Sequence, residues 1–586
     1  MMLGNIRKQL KAQKIDAYVI PMGDPHANEY LSPQWQLIKA ISGFSGSAGT
    51  LVITADFAGL WTDSRYFGQA EREIEALGFV LMRLVIPHSA EHIDWLLEHL
   101  PANAIVAGDT ALFSVQKWQY LATTLKAANL QLLALDQFWD QYWSERPSAT
   151  AEPIFVHPDR YVGLSRTLKI EQLRTALGKS TAQACLLSAL DEIAWLLNLR
   201  GSDIPYNPLF FAFLWLDAER CVLFIDKDKI GAEINALLTD TGVECVAYEA
   251  LNEFLQAQED ILIWSDPGSL NTALYQSIPE TQWRLMPSWV RSAKAEKHPK
   301  EMAFIRSRHD KEGLVWLKAW YWREQQLALG PLKEFELATH MESLRHEDEV
   351  YLGPSFAPIV AYGPNGAMNH YSPSEKQQAE IKTDSLLLID TGGQYLDGTT
   401  DMTRTFATGV PTQAQIEAYT YVLQGLIALS SLSFPAGTSG SQLDVLARQA
   451  LWQAGLNYGH GTGHGVGYCL NVHEGPQAIG TGASGRAGAS LEIGMLTSVE
   501  PGYYLAGAWG IRIENLLLCV EGEEAGWLRF ESLGFCPLEP KLIAWDLLKE
   551  GEKQWVSDFQ RSVYRRYEKR ILPTQKAWLQ EKTFAK

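Results

Sequence analysis

The period of the hydrophobic positions changes along the chain and divides it into three regions. Residues 1–21 read as a polar helix bearing Arg7, Lys8, Lys11 and Lys14, followed by the short apolar strand Ala17-Tyr18-Val19-Ile20. To about residue 150, helical stretches alternate with β-rich runs such as Thr50–Thr54, the alternation of an α/β unit. Residues 145–158 hold Pro147, Pro153 and Pro158 without a clean period, which marks a linker. A second alternating unit follows over 151–295, with strand candidates at Cys221–Ile225 and 261–265. Basic residues gather over 291–300, and His298-Pro299-Lys300-Glu301 has the form of a helix start.

The third region, 296–586, opens with helical stretches to about Glu347 and then turns to strands and glycine-rich turns. Residues 385–390 form a buried-type strand, Asp397-Gly398 is a two-residue turn signal, and 399–406 returns as the second strand of a hairpin. In the later run Gly510-Ile511-Arg512-Ile513-Glu514, the period of two puts Ile511 and Ile513 on one face of a strand, with Arg512 and Glu514 on the other. No internal repeat is visible.

Composition narrows the function classes. A chain of 586 residues exceeds what a single hydrophobic core serves. The net charge is −18, from 50 Lys+Arg against 68 Asp+Glu, with no basic face, so nucleic acid is not an expected partner. The acidic balance suits solubility and, weakly, metal cations. Six scattered cysteines without a CxxC pair read as reduced thiols of a cytosolic protein. The N-terminal segment does not read as a signal peptide, and no apolar run approaches the ~20 residues of a membrane span. A cytoplasmic protein without a membrane partner is expected.

Two motif matches are set aside. Gly480-Thr481-Gly482-Ala483-Ser484-Gly485 satisfies GxGxxG, but no strand leads into it and no amphipathic helix leaves it. His88-Ser89-Ala90-Glu91-His92 satisfies a zinc-peptidase pattern, but Pro87 precedes it and Ser89 is a natural helix cap, which leaves His88 outside the helix. A different set carries chemistry: Asp390 in Leu388-Ile389-Asp390-Thr391-Gly392, Asp401 in Asp397-Gly398-Thr399-Thr400-Asp401, His464 in Gly459-His460-Gly461-Thr462-Gly463-His464-Gly465, Glu500 in Ser498-Val499-Glu500-Pro501-Gly502, and Glu514. A hairpin holds its strands ~4.8 Å apart, so Asp390 and Asp401 can meet across it. Singly, each of these is ordinary turn or loop chemistry. Jointly, four carboxylates in one place repel one another unless cations hold them. An imidazole among carboxylate oxygens suits Mn2+, Co2+ or Zn2+.

Longer motifs carry a family resemblance over nearly the whole chain. Gly43-Phe44-Ser45-Gly46-Ser47-Ala48-Gly49-Thr50 and Trp61-Thr62-Asp63-Ser64-Arg65-Tyr66-Phe67 lie in the first region, Leu190-Asp191-Glu192-Ile193-Ala194-Trp195 and Asn198-Leu199-Arg200-Gly201-Ser202-Asp203-Ile204 in the second. Gly363-Pro364-Asn365-Gly366-Ala367, Asn471-Val472-His473-Glu474-Gly475-Pro476 and the acidic motifs above lie in the third. Together they resemble the long, three-domain form of aminopeptidase P, within the creatinase, prolidase and methionine aminopeptidase group. The family often carries an acidic or polar residue where Val499 stands, a departure that touches no ligand.

The resemblance implies two creatinase-N-type α/β domains, 1–150 and 151–295, before a pita-bread α+β catalytic domain, 296–586. It implies two divalent ions, manganese first, with cobalt and zinc as alternatives. Asp390 and Asp401 bind one ion; Asp401 and Glu514 bridge to the other, which also takes His464 and Glu500. Paired ions ~3.5–4 Å apart can share a hydroxide that attacks the scissile carbonyl, and Glu500 can carry the proton to the leaving nitrogen. His370 and His473 match the catalytic histidines, placed to donate hydrogen bonds to the carbonyl or its tetrahedral successor. His460, Arg404 and Arg512 support the site from behind. Arg65 is either a structural arginine or a substrate contact. The implied reaction releases the N-terminal residue from peptides with proline second, where the bond is a tertiary amide without N–H. A homodimer is also implied. The rival readings are a prolidase restricted to X-Pro dipeptides and a non-catalytic binding module; the retained metal set disfavours the second and a creatinase-type amidinohydrolase.

Overall fold

The computed structural model describes residues 2–86, 89–139, 142–482 and 486–584. The chain separates into two compact units, Met1–Ser292 and Ala293–Lys586.

The first unit contains two six-stranded mixed sheets. One runs in the order Val80–Arg83, Ala58–Thr62, Thr50–Thr54, Ala17–Pro21, Ile105–Gly108, Gln131–Ala134. Its three consecutive strands from Ala17–Pro21 to Ala58–Thr62 pair antiparallel, and the flanking strands pair parallel. The strand Ala17–Pro21 is buried on both faces, as parallel-paired strands under helices are. Alternation sends Tyr18 and Ile20 into one apolar cluster and Ala17 and Val19 into another.

The second sheet, in the order Val243–Val246, Cys221–Ile225, Ala212–Asp217, Ala184–Leu187, Ile263–Ser265, Trp283–Leu285, repeats the same succession of parallel and antiparallel pairs. The unit is thus a topological duplication that the residue pattern does not reveal. Topology dictates where apolar side chains alternate, not which ones fill the positions. The expected linker over 145–158 contributes a short strand of its own, Phe155–Val156, paired antiparallel with Leu199–Arg200.

The second unit opens on the long helix Pro299–Leu329. His298 caps it as the sequence pattern suggests: its Nδ1 accepts from Lys300 N at 3.2 Å, and Glu301 accepts from His298 N at 3.1 Å. A three-stranded sheet joins Ile359–Tyr362, Leu386–Thr391 and Met402–Ala407. A six-stranded sheet runs Ser433–Pro435, Trp527–Ser532, Asn515–Glu521, Leu496–Val499, Gly463–Gly465, Glu474–Ile479, and the hairpin Gly502–Leu505/Trp509–Arg512 completes the set. All these pairings are antiparallel. Helices Gln413–Ser430 and Gly440–Gln453 cover them through a core that includes Tyr419, Leu423, Leu443, Leu451, Leu517 and Phe530.

Two strand expectations are corrected. Tyr395 pairs with Gly398, so the tight loop is Leu396-Asp397 and the turn sits one residue earlier than the Asp-Gly signal places it. The Asp397 carboxylate, instead of serving the turn, accepts from Arg308 Nε at 2.7 Å and Nη2 at 2.9 Å. The returning strand expected over 399–406 is also split. Gly398–Thr399 pairs with Gly393–Tyr395, Met402–Ala407 pairs with Leu386–Thr391, and Thr400 and Asp401 fall in the break.

Candidate metal centre

The break in that strand positions the first pair of carboxylates. Asp390 stands near the end of Leu386–Thr391, opposite Ile359 on one side and Thr403 on the other. Asp401 precedes Met402–Ala407 and is therefore free of the ladder. The strand expected to hold Glu514 is likewise interrupted: Trp509–Arg512 ends before it and Asn515–Glu521 begins after it. The facing pattern holds all the same. Ile511 and Ile513 enter the apolar core, while Arg512 and Glu514 turn to the carboxylates. His464 comes from Gly463–Gly465 and Glu500 from the corner after Leu496–Val499. A Cβ on Gly463 would stand 1.8 Å from the Ser498 carbonyl oxygen, so only glycine lets these two segments approach.

Asp401, His464 and Glu514 each offer a ligand atom within 4.8 Å of the others. His464 Nε2 lies 3.5 Å from Asp401 Oδ2 and 3.5 Å from Glu500 Oε1. Its Nδ1 lies 3.0 Å from the Gly465 carbonyl; with the proton on Nδ1, the Nε2 lone pair faces the carboxylates. Asp390 Oδ2 accepts from Arg512 Nη2 at 2.6 Å, and Glu514 Oε2 accepts from Thr403 Oγ1 at 2.7 Å.

Three oxygens remain over. Asp390 Oδ1, Asp401 Oδ1 and Glu514 Oε1 are buried and have no hydrogen-bond donor. Burial first, then Asp390 and Glu500, push the Asp401 carboxyl well above the ordinary range. Burial, then Asp401, Glu500 and Asp390, do the same to Glu514. Burial raises Glu500 to about 7, with Arg512 pulling down and Asp390 pushing up. Such a site holds more negative charge than its protein donors balance, with carboxylate oxygens and an imidazole as the available ligands. Divalent cations fit that donor set.

The other expected residues fall as follows. His473 packs its ring edge-on against His464, with centroids 4.3 Å apart and planes at 82°. His370 follows Asn369, whose carbonyl accepts from Arg512 Nη2 at 3.4 Å. His460 Nε2 is 2.9 Å from Tyr504 OH, which also accepts from Arg512 Nη1 at 2.7 Å. Arg404 does not reach the carboxylates. Its Nη1 donates to the carbonyls of Thr403 and Glu514 at 2.8 and 2.6 Å, which fixes the backbone behind them. Arg65 lies in the first unit, where Asp63 takes its Nε and Nη2 at 2.8 and 2.7 Å. Three polar residues escaped the sequence reading: Thr403, Ser498 and Tyr504. Ser498 Oγ accepts from His464 N at 2.9 Å and donates to Glu500 Oε1 at 3.4 Å.

The discarded motifs gain nothing here. Glu91 opens the helix Glu91–His99 and ties down the segment before it, accepting from the backbone N–H of Val85 and Ile86 and from Ser89 Oγ; the cap position is Ala90, without a side-chain cap, not Ser89 as expected. His88 lies outside the described residues, as do 483–485 of the glycine-rich loop.

Fold and donor set together define a carboxylate–imidazole metal centre on an antiparallel scaffold. Residues 309–521 match metallopeptidase family M24, 526–585 match its C-terminal region, and 2–138 and 145–301 each match the creatinase/prolidase N-terminal domain. Xaa-Pro aminopeptidase 2 of Homo sapiens is 38% identical over 602 residues, covering 100% of this chain and 88% of that protein. A probable Xaa-Pro aminopeptidase P of Pyricularia oryzae is 39% identical over 96% of this chain and 94% of its own length. The solved X-prolyl aminopeptidase of Caenorhabditis elegans, described as a cytosolic enzyme with a di-nuclear active site, superposes with a TM-score of 0.94 at 33% identity, covering 99% and 98% of the two chains. This chain belongs to metallopeptidase family M24, with creatinase-type N-terminal domains before a pita-bread catalytic domain.

Proposed function

We propose that the chain is a metal-dependent aminopeptidase that releases the N-terminal residue from peptides with proline in the second position. The observation that carries the metal requirement is the meeting of Asp401 and Glu514 with His464, each carboxylate keeping one buried oxygen without a hydrogen-bond donor. The substrate class rests on the family and its named relatives, Xaa-Pro aminopeptidases in two kingdoms.

In this reading Asp390, Asp401, His464, Glu500 and Glu514 would hold two divalent cations between them. Manganese is the proposed ion, with cobalt and zinc as substitutes. Bound there, the cations supply an activated water and Lewis acidity toward the scissile carbonyl. Arg512 fixes Asp390, and Thr403 fixes Glu514, so the acceptor oxygens keep their directions. Glu500, at 20% side-chain exposure the most open of the carboxylates, takes the proton of the attacking water and returns it to the leaving nitrogen. His473 and His370 donate hydrogen bonds to the carbonyl oxygen as it gains charge. Arg65 is kept as a substrate-binding residue, the divisions near 150 and 295 as domain boundaries, and a cytoplasmic homodimer as the working form.

The test is a peptide panel with the metal-loaded protein. X-Pro-X peptides are expected to be cut after the first residue, with X-Pro dipeptides turned over more slowly. Activity confined to X-Pro dipeptides would make the protein a prolidase instead.

A further inference from the structure

A buried charge cluster stands at the start of the strand Glu474–Ile479. Glu474 Oε1 lies 2.6 Å from Lys297 Nζ, and Oε2 lies 2.7 Å from Lys294 Nζ. All three side chains are at most 1% exposed. The arrangement is electrostatically demanding. Burial pulls the Lys297 pKa down, Glu474 pulls it back, and Lys294 opposes. Apolar side chains of similar volume could fill such a space without taking three charges out of water. What the cluster adds is a fixed place for the carboxylate: Oε1 accepts a hydrogen bond from Lys297 Nζ, and Oε2 is paired by charge with Lys294 Nζ.

The anchor itself is rigid. Lys297 N donates to the Gly494 carbonyl at 3.2 Å, and a Cβ at Gly494 would stand 2.7 Å from the Lys297 oxygen. Glu474 opens the strand Glu474–Ile479, and His473 is the residue just before it, in the bend that leads into the strand. Glu474 points back into the lysines; His473 points to the His464 ring. The ladder beneath them is irregular. Gly465 pairs with Glu474 whereas His464 pairs with Ala478, so the register breaks between the two. Regular backbone pairing therefore does not by itself determine the direction of His473.

We propose that Lys294 and Lys297, acting through Glu474, are positioning residues that hold His473 against His464 in the orientation the reaction needs. The inference rests on the reading of His473 as a hydrogen-bond donor to the reacting carbonyl.

The test compares the full-length wild type, Lys294→Met, His473→Ala and the double variant, each metal-loaded, by kcat and KM on an X-Pro-X peptide, metal content and thermal unfolding. Lys294→Met is expected to lower kcat roughly 10- to 100-fold, the scale of a misplaced catalytic group. KM and metal content stay unchanged. Lys294→Arg, which keeps the ion pair, is expected to retain most of the turnover. In the His473→Ala background Lys294→Met should cost nothing further. Full turnover by Lys294→Met, or an equal loss in both backgrounds, overturns the proposal. Should Lys294→Met fail to fold, the triple variant Lys294→Met/Lys297→Met/Glu474→Gln removes the charges together. It is expected to be folded, metal-loaded and slow, and full turnover by it is equally fatal. A His473→Ala protein that works at the wild-type rate instead removes the role assigned to His473, and the clamp with it.

Discussion

Glu514 shows how the site works at the scale of one residue. One of its oxygens takes a hydrogen bond from Thr403, and the other is buried without a donor. Leaving such an oxygen unsatisfied costs on the order of 1–3 kcal/mol, more for a charged group. A cation removes that cost, and Thr403 keeps the carboxylate turned toward it. Thr403→Val is therefore expected to weaken metal affinity ~10- to 100-fold, the usual effect of losing a partner behind a ligand. Titration of metal-stripped protein with Mn2+ measures this, and wild-type affinity would deny Thr403 the role. His370 makes a separate demand. If it serves the transition state, His370→Ala lowers kcat more than it raises KM and leaves metal content alone; steady-state kinetics beside metal analysis decide this, and normal turnover returns His370 to a structural role. The grouping of Asp401 and Glu514 with His464 was legible from spacing and motif. Ser498 could have been read too, since it lies two residues from Glu500 in the same short motif; Thr403 could not, because its partner Glu514 is 111 residues away. Tyr504 could not, because its partners His460 and Arg512 meet it only through the tertiary fold.

At the scale of elements, the hairpin bearing Asp390 and Asp401 was legible but its turn was not. The Asp-Gly signal assumes that the aspartate serves the turn, whereas Asp397 answers to Arg308, 89 residues earlier on the long helix. Local chemistry carries no record of such a partner. The same helix supplies Glu312, which pairs with Arg345 at 2.6 Å and accepts from Tyr395 OH at 2.7 Å. Arg345 in turn donates to Thr391, the residue after Asp390, at 2.8 Å. Burial alone would raise the Glu312 pKa, but Arg345 and Tyr395 carry it below the ordinary value. A carboxyl lowered in the folded state stabilises the fold above its unfolded pKa and loses that contribution as pH falls through the folded value. Glu312→Gln should cost about 3–5 kcal/mol at neutral pH, the usual effect of stranding a buried arginine. It should also flatten the fall in stability below the ordinary carboxylate pKa. Thermal unfolding as a function of pH checks both, and an unchanged acid limb would show that Glu312 does not contribute to it.

At the scale of the molecule, the α/β character of the first half was readable from its alternating runs, but the duplication of its sheet was not. Ala17–Pro21 and Ala184–Leu187 occupy matching places with different residues, because a buried strand needs only apolar side chains of the right volume. The residues assigned to the metals all fall within Ala293–Lys586. A protein beginning at Ala293 is therefore expected to bind the cations yet lose most peptide hydrolysis, and Arg65→Ala in the full chain to weaken hydrolysis without changing metal content. Hydrolysis by the fragment at the full-chain rate would mean that the first unit has no part in the reaction. The most direct test of the whole account is a metal titration of chelator-stripped full-length protein, read as X-Pro-X hydrolysis against ions bound per chain. The account predicts a chain inactive without metal, activity that rises to a plateau at two bound ions, and an Asp401→Asn protein that neither binds the pair nor hydrolyses the peptide; full hydrolysis by the stripped protein, or by Asp401→Asn, would contradict it.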